Sequence, residues 1–167
     1  MREILFRGKT DKGEWMQGSL IKRNIGCFIV DENNKCALRK ATENLFDFES
    51  NLVNCGTIGQ HTGLTDKNGK KIFEGDIVQY INSDDFDCQS IVKFGEYKQD
   101  GSGGEYGARK CLGFYVDVDN FTCPDWCEDD PEYFPRHMWQ QNILEVVDGC
   151  EIIGNIYDNL ELLSKRV

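Results

Sequence analysis

Hydrophobic and polar residues alternate along this chain in short runs of period two, broken at close intervals by turn chemistry. Glu3-Ile4-Leu5-Phe6-Arg7 and Glu14-Trp15-Met16-Gln17 flank Thr10-Asp11-Lys12-Gly13, which predicts strand, turn, strand. Cys27-Phe28-Ile29-Val30 and Cys36-Ala37-Leu38 flank Asp31-Glu32-Asn33-Asn34 and predict a second hairpin. Further on, Leu112, Phe114, Val116 and Val118 fall on one face of an extended segment, with Gly113, Tyr115, Asp117 and Asp119 on the other. That alternation predicts a half-buried strand. Near the end, Ile143–Val147 and Glu151–Gly154 flank Asp148-Gly149, a two-residue hairpin signal.

Helical patterning is scarce. Ala41–Phe46 could open a short helix capped by Thr42, but Phe46 and Phe48 restore alternation. Asn159-Leu160-Glu161-Leu162-Leu163 predicts a terminal helical turn or two, capped by Asp158 or Asn159. Many short strands at close spacing predict a mainly β fold, a barrel or sandwich, over a single domain of residues 1–167. Residues 97–137 interrupt the rhythm and are expected to form an irregular acidic insertion. They contain the glycine-rich loop Gln99–Glu105 and the segment 119–137, which holds all three prolines.

The stretch GQHTGLTDKNGKKIFEGDIVQY, residues 59–80, has the glycines and lysines of a phosphate-binding loop without its order. Such a loop requires Gly-Lys-Ser/Thr opening a helix, and here Gly69-Lys70-Lys71 leads into strand-like Ile72-Phe73. The stretch reads as scaffolding. Asn68-Gly69 suits a tight turn needing positive φ, and Glu74-Gly75-Asp76 a second reversal. Ile77–Ile81 and Ser90–Gly95 then follow as partner strands. A Gly-Asp-apolar strand, a loop and a short strand ending in Phe-Gly is the layout of small SH3-like barrels.

Composition narrows the function. The net charge is −10 over 167 residues, and it is uneven. Residues 1–40 carry nine Lys and Arg against five Asp and Glu, whereas residues 81–135 carry four against thirteen. The overall charge disfavours non-specific nucleic-acid binding, and the two blocks could pair within a chain or between copies. No apolar run approaches the roughly 20 residues of a spanning helix. The charged N-terminus MREILFRGKT does not resemble a signal peptide, so a cytoplasmic location and no membrane partner are expected. The eight cysteines are accordingly expected to be reduced, small core-filling residues.

Candidate chemistry is thin. Cys123 and Cys127, with His137 ten residues on and Cys111 as a possible fourth, could ligate zinc. Tight zinc knuckles more often space their cysteines by two, so two thiols flanking Trp126 in a loop is the favoured reading, and no cofactor is expected. The acids Glu128, Asp129, Asp130 and Glu132 lack the spacing of a calcium loop and read as a solvated acidic segment. His61 and His137 lie in no nucleophile motif, and no catalytic residue is assigned. Trp15, Trp126 and Trp139 are expected as core or interface anchors.

Three segments together resemble one family. Thr57–Leu64 with Asp66–Val78 is similar to the signature of the YopX family. Phe6-Arg7-Gly8-Lys9 through Gly13-Glu14-Trp15 and Gly18 fits its start, and Ile153–Asn159 with Glu161-Leu162-Leu163 fits its end. The resemblance implies a phage or prophage protein with an SH3-like core, added β structure and no established enzymatic activity. The motif positions it marks are Gly59, Gln60, Thr62, Gly63, Asn68, Gly69, Glu74, Gly75, Asp76, Gly154 and Asn155, and turn geometry explains Gln60, Thr62 and Asp76 without chemistry. Two positions depart from it: Leu160 stands where the family has proline, and His61 where an aromatic such as Tyr is common. The expected role is non-enzymatic, through protein–protein contact or self-assembly as a homo-oligomer. The alternatives are a nucleic-acid-binding SH3-like module and a metal-dependent enzyme using Cys123, Cys127 and His137.

Overall fold

The computed structural model describes residues 4–30, 51–81, 87–99, 109–122 and 140–162, with the side chains of 118–122 left out. The described chain is mainly β and forms two antiparallel sheets. It divides into two compact units, residues 1–63 and 64–167.

In the first unit, β1 (Phe6–Lys9) pairs with β2 (Trp15–Arg23) across the expected turn, with Lys9 opposite Trp15 and Gly13 at φ +84°. Strand β3 (Gly26–Val30) pairs with β2 and with β4 (Leu52–Val53), and β1 pairs on its other side with β5 (Gly59–Thr65). The sheet order is β4-β3-β2-β1-β5-β6, where β6 is Lys71–Phe73 and the unit boundary falls inside β5, after Gly63. Cys27, Ile29 and Val53 form an apolar cluster with Phe6, Met16, Leu20 and Ile58 against it.

The second unit contains a five-stranded sheet, β10-β9-β8-β7-β11. Its strands are β7 (Asp76–Ile81), β8 (Asp87–Gln99), β9 (Arg109–Thr122), β10 (Gln140–Asn142) and β11 (Glu151–Asn155). The core is Ile72, Val78, Tyr80, Cys88, Val92, Phe114, Val116, Ile143, Val146 and Cys150. A short 3-10 turn, Leu160–Leu162, ends the described chain and matches the expected terminal helical turn.

Neither sheet closes on itself among the described residues, so the fold stands as two open antiparallel sheets. The span 97–137 is not simply irregular. It includes the end of β8 and all of β9, because period-two alternation carries both strands far past their neighbours. The Asp148-Gly149 hairpin does not form. Asn142 caps a 3-10 turn at Ile143–Glu145, Ile143 and Val146 point inward three residues apart, and β11 pairs with β7 instead.

The cysteines are not all reduced. Cys27 and Cys55 form a disulfide, because pairing Cys27 with Val53 and turning the chain at Cys55–Thr57 brings the two Cα atoms within 5.4 Å. Cys88 and Cys150 are buried thiols, as expected, and burial pushes them up to about 12 and about 11.

Candidate functional site

The glycine-rich stretch 59–80 is built of reversals held by two buried carboxylates. Between β5 and β6, Asp66 Oδ1 accepts from the backbone N–H of Asn68 and of Lys70, both at 2.9 Å, and Gly69 turns the chain at φ +80°. This is an Asx-type turn, in which a short acid bonds the backbone just ahead of it. Asp66 Oδ2 accepts from Ile152 N at 3.1 Å, and Lys67 N donates to Cys150 O, so the turn is fastened to the start of β11. Burial pushes the Asp66 carboxyl up, but the N–H groups of Ile152, Lys70 and Asn68 and the Lys70 charge outweigh it and hold it below 3.8.

The second reversal, Glu74-Gly75, places Gly75 at φ +83°, and Asp76 Oδ2 accepts from Phe73 N at 2.8 Å while only 1% exposed. Gly75 N donates to Val92 O, and Ile156 N donates to Gly75 O. Strand pairing sets Asn155 opposite Asp76 and Gly154 opposite Ile77, so the Glu74-Gly75-Asp76 and Gly154-Asn155 motifs are neighbours. Asn155 Oδ1 accepts from Tyr157 N and Asp158 N, and Asn159 Oδ1 accepts from Asn155 N. A Cβ on Gly154 would stand 2.6 Å from that Asn159 oxygen, which is why glycine is required there.

The remaining marked residues meet in the first unit. Gly59 lies opposite Arg7, Gln60 opposite Phe6, and His61 N donates to Leu5 O. Thr62 is buried and Gly63 follows at φ +89°. Register puts Arg7, Lys9, Trp15 and Gln17 on one face of the sheet. There the Arg7 guanidinium lies 4.9 Å and the Lys9 ammonium 5.8 Å from the Trp15 ring centroid, a cation–π arrangement. Arg7 and His61 are 8% and 5% exposed. A guanidinium, an ammonium and an indole on one face can recognise an anionic or planar group.

A further surface was not evident from the sequence. The row of β8 and β9 that faces the core begins with Val92 and Val116, both fully buried, and passes through Phe114 at 9%. It then leaves the core at Phe94, 50% exposed and edge-on to Phe114 with centroids 5.0 Å apart, and at Leu112, 74% exposed. Residues Val92–Gln99 of β8 lie beyond the pairing with β7. On the opposite face Tyr97 stacks on Tyr115 at 5.0 Å and accepts at its hydroxyl from Asn142 Nδ2, which stiffens the ribbon. Cys123, Cys127 and His137 lie outside the described residues. Among the described residues no group of three or more His, Cys, Asp and Glu could hold a metal ion, and no helix is long and apolar enough to cross a membrane.

Two open antiparallel sheets with glycine- and carboxylate-shaped turns define a mainly β protein. The chain belongs to the YopX protein family, whose model matches residues 5–164. No curated protein matches it.

Proposed function

We propose that this chain is a non-enzymatic protein of a phage or prophage that acts in the cytoplasm through protein–protein contact, self-assembling through the β8–β9 ribbon. The observation that carries this reading is the apolar row that runs out of the core. Phe94 and Leu112 continue the buried positions Val92, Phe114 and Val116, yet stand 50% and 74% exposed. Exposed apolar side chains on an extended ribbon favour association, since burying them recovers roughly 25 cal/mol per Å2. The phage origin and the absence of catalysis rest on the family resemblance.

The test is native mass spectrometry at near-physiological ionic strength across a concentration series, on the wild type and on Phe94→Ser/Leu112→Ser. A multiple of the chain mass that falls to the single chain in the variant supports the reading. A wild type that stays monomeric at every concentration removes self-assembly.

A second reading, a nucleic-acid-binding SH3-like module, draws on Arg7 and Lys9 over Trp15. It predicts a gel shift with single-stranded oligonucleotides that weakens as salt rises, lost in Trp15→Ala. Absence of any shift at low salt ends it.

A further inference from the structure

In the first unit, β4 is held on β3 by two ladder pairs, Cys27 with Val53 and Phe28 with Leu52, and by the Cys27–Cys55 disulfide. A strand of two residues forms too few ladder bonds to be stable by itself, so its seating depends on ties beyond the ladder. The segment that follows reaches β1. Asn54 N donates to Lys9 O at 2.8 Å, Lys9 N donates to Thr57 Oγ1 at 2.9 Å, and Thr57 Oγ1 donates to Asn54 O at 2.8 Å. Val53 also fills the apolar cluster, and Gly8 leaves room for it, since a Cβ there would meet Val53 Cγ2 at 2.8 Å. The two halves of the disulfide differ in environment: Cys27 is 1% exposed, whereas Cys55 lies in an exposed turn.

We propose that Cys27–Cys55 is a redox-controlled clamp, opened by low-molecular-weight thiols, that decides whether the segment Leu52–Thr57 is seated on β3 and β1. The attacking thiolate reaches the sulfur of Cys55, in the exposed turn, and forms a new S–S bond to it. The Cys27–Cys55 bond breaks, and its electron pair leaves on the Cys27 sulfur, which takes up a proton. A second thiolate attacks the small-molecule sulfur of the mixed disulfide, releasing Cys55 as a thiol once protonated and the reductant as its own disulfide. Two electrons pass from two thiols to the protein. Opening frees β4, uncovers the backbone edge of β3 at Cys27 and Phe28, and uncaps Lys9 at the end of β1. Reoxidation reseats the segment.

The test is amide hydrogen exchange of the full chain, read by mass spectrometry, in the same buffer with and without dithiothreitol. On reduction the amides of Lys9, Asn54 and Thr57 are expected to lose protection by tenfold or more, while those of β7 and β8 are unchanged. Brief treatment with excess glutathione, quenched with acid, is expected to leave the adduct on Cys55. Unchanged protection after complete reduction overturns the proposal, as does loss of protection throughout the chain. A glutathione adduct on Cys27, or two free thiols at these positions before any reductant is added, also overturns it. Cys27→Ser/Cys55→Ser is expected to exchange like the reduced wild type. If that variant fails to fold while the reduced wild type remains folded, the wild-type comparison decides.

Discussion

Asp66 and Ile152 are joined by one hydrogen bond, Ile152 N to Asp66 Oδ2 at 3.1 Å, across a sequence separation of 86. The same carboxylate already organises its own turn, so one side chain fixes a local reversal and a distant strand together. Asp66→Ala leaves three backbone N–H groups without their acceptor and is expected to cost about 2–4 kcal/mol, read by urea unfolding. The pH dependence follows from the depressed carboxyl. Because its pKa lies below 3.8 in the folded chain, its contribution is fully present well above 3.8 and is lost as the pH falls through the folded value. Asp66→Asn is therefore expected to flatten the acid limb of the stability curve below about pH 4–5, the range over which an unfolded carboxyl titrates. An acid limb as steep as that of the wild type would contradict the assignment.

Tyr80 and Ser90 share a buried hydrogen bond of 3.1 Å between neighbouring strands, and burial pushes the Tyr80 hydroxyl above its ordinary range. Tyr80→Phe leaves the Ser90 hydroxyl, fully buried, without that partner, at a cost of about 1–3 kcal/mol. Adding Ser90→Ala removes the stranded hydroxyl and is expected to restore part of the loss. The coupling is read from a double-mutant cycle in urea, and simple additivity would show that the pair does not interact as drawn.

Three glycines are expected to separate by mechanism. At Gly69, φ is +80° with open space around a Cβ, so Gly69→Ala carries backbone strain alone, about 1–2 kcal/mol, and Gly69→Asn less. Gly75→Ala adds to the same strain only ordinary contacts with Tyr157 and Ile156. Gly154→Ala meets Asn159 Oδ1 at 2.6 Å and must displace it from Asn155 N. Replacing Asn159 by Gly is therefore expected to relieve Gly154→Ala and leave Gly75→Ala unaffected. Thermal unfolding of these variants, with Asn159→Gly alone as the reference for the two combinations, distinguishes the cases.

What the sequence made legible was local. Asn68-Gly69 and Gly75 announce positive φ, and Thr10–Gly13 announces the first hairpin, because each demand is met by residues next to one another. Asp148-Gly149 announced a turn as well, and residues 146–149 do turn. The residues before it follow a helical period and not an alternating one: Ile143 and Val146 share the buried side, while Leu144 is 63% exposed. The Asn68-Gly69 turn is legible, but nothing in the local sequence shows that the Asp66 carboxylate holds it and serves Ile152 as well. The Cys27–Cys55 bond depends on a strand pairing closed over 28 residues, and expecting reducing surroundings hid it. Alternation at Leu112–Val118 identified β9, yet it could not show that Leu112 extends beyond the core while Tyr115 is buried by stacking on Tyr97.

The β8–β9 ribbon separates stability from association along a single row. Val116 is fully buried in the core, so Val116→Ala removes packed atoms and is expected to cost about 1–3 kcal/mol in urea unfolding. Leu112, 74% exposed on the same side of the same strand, has little packing to lose, and Leu112→Ser is expected to change stability by no more than about 0.5 kcal/mol. If the row mediates self-assembly, the order reverses in sedimentation velocity. Leu112→Ser then weakens association by tenfold or more, whereas Val116→Ala, wherever it remains folded, leaves it near that of the wild type. Should Leu112→Ser be neutral in both measurements, the exposed row is not the contact surface.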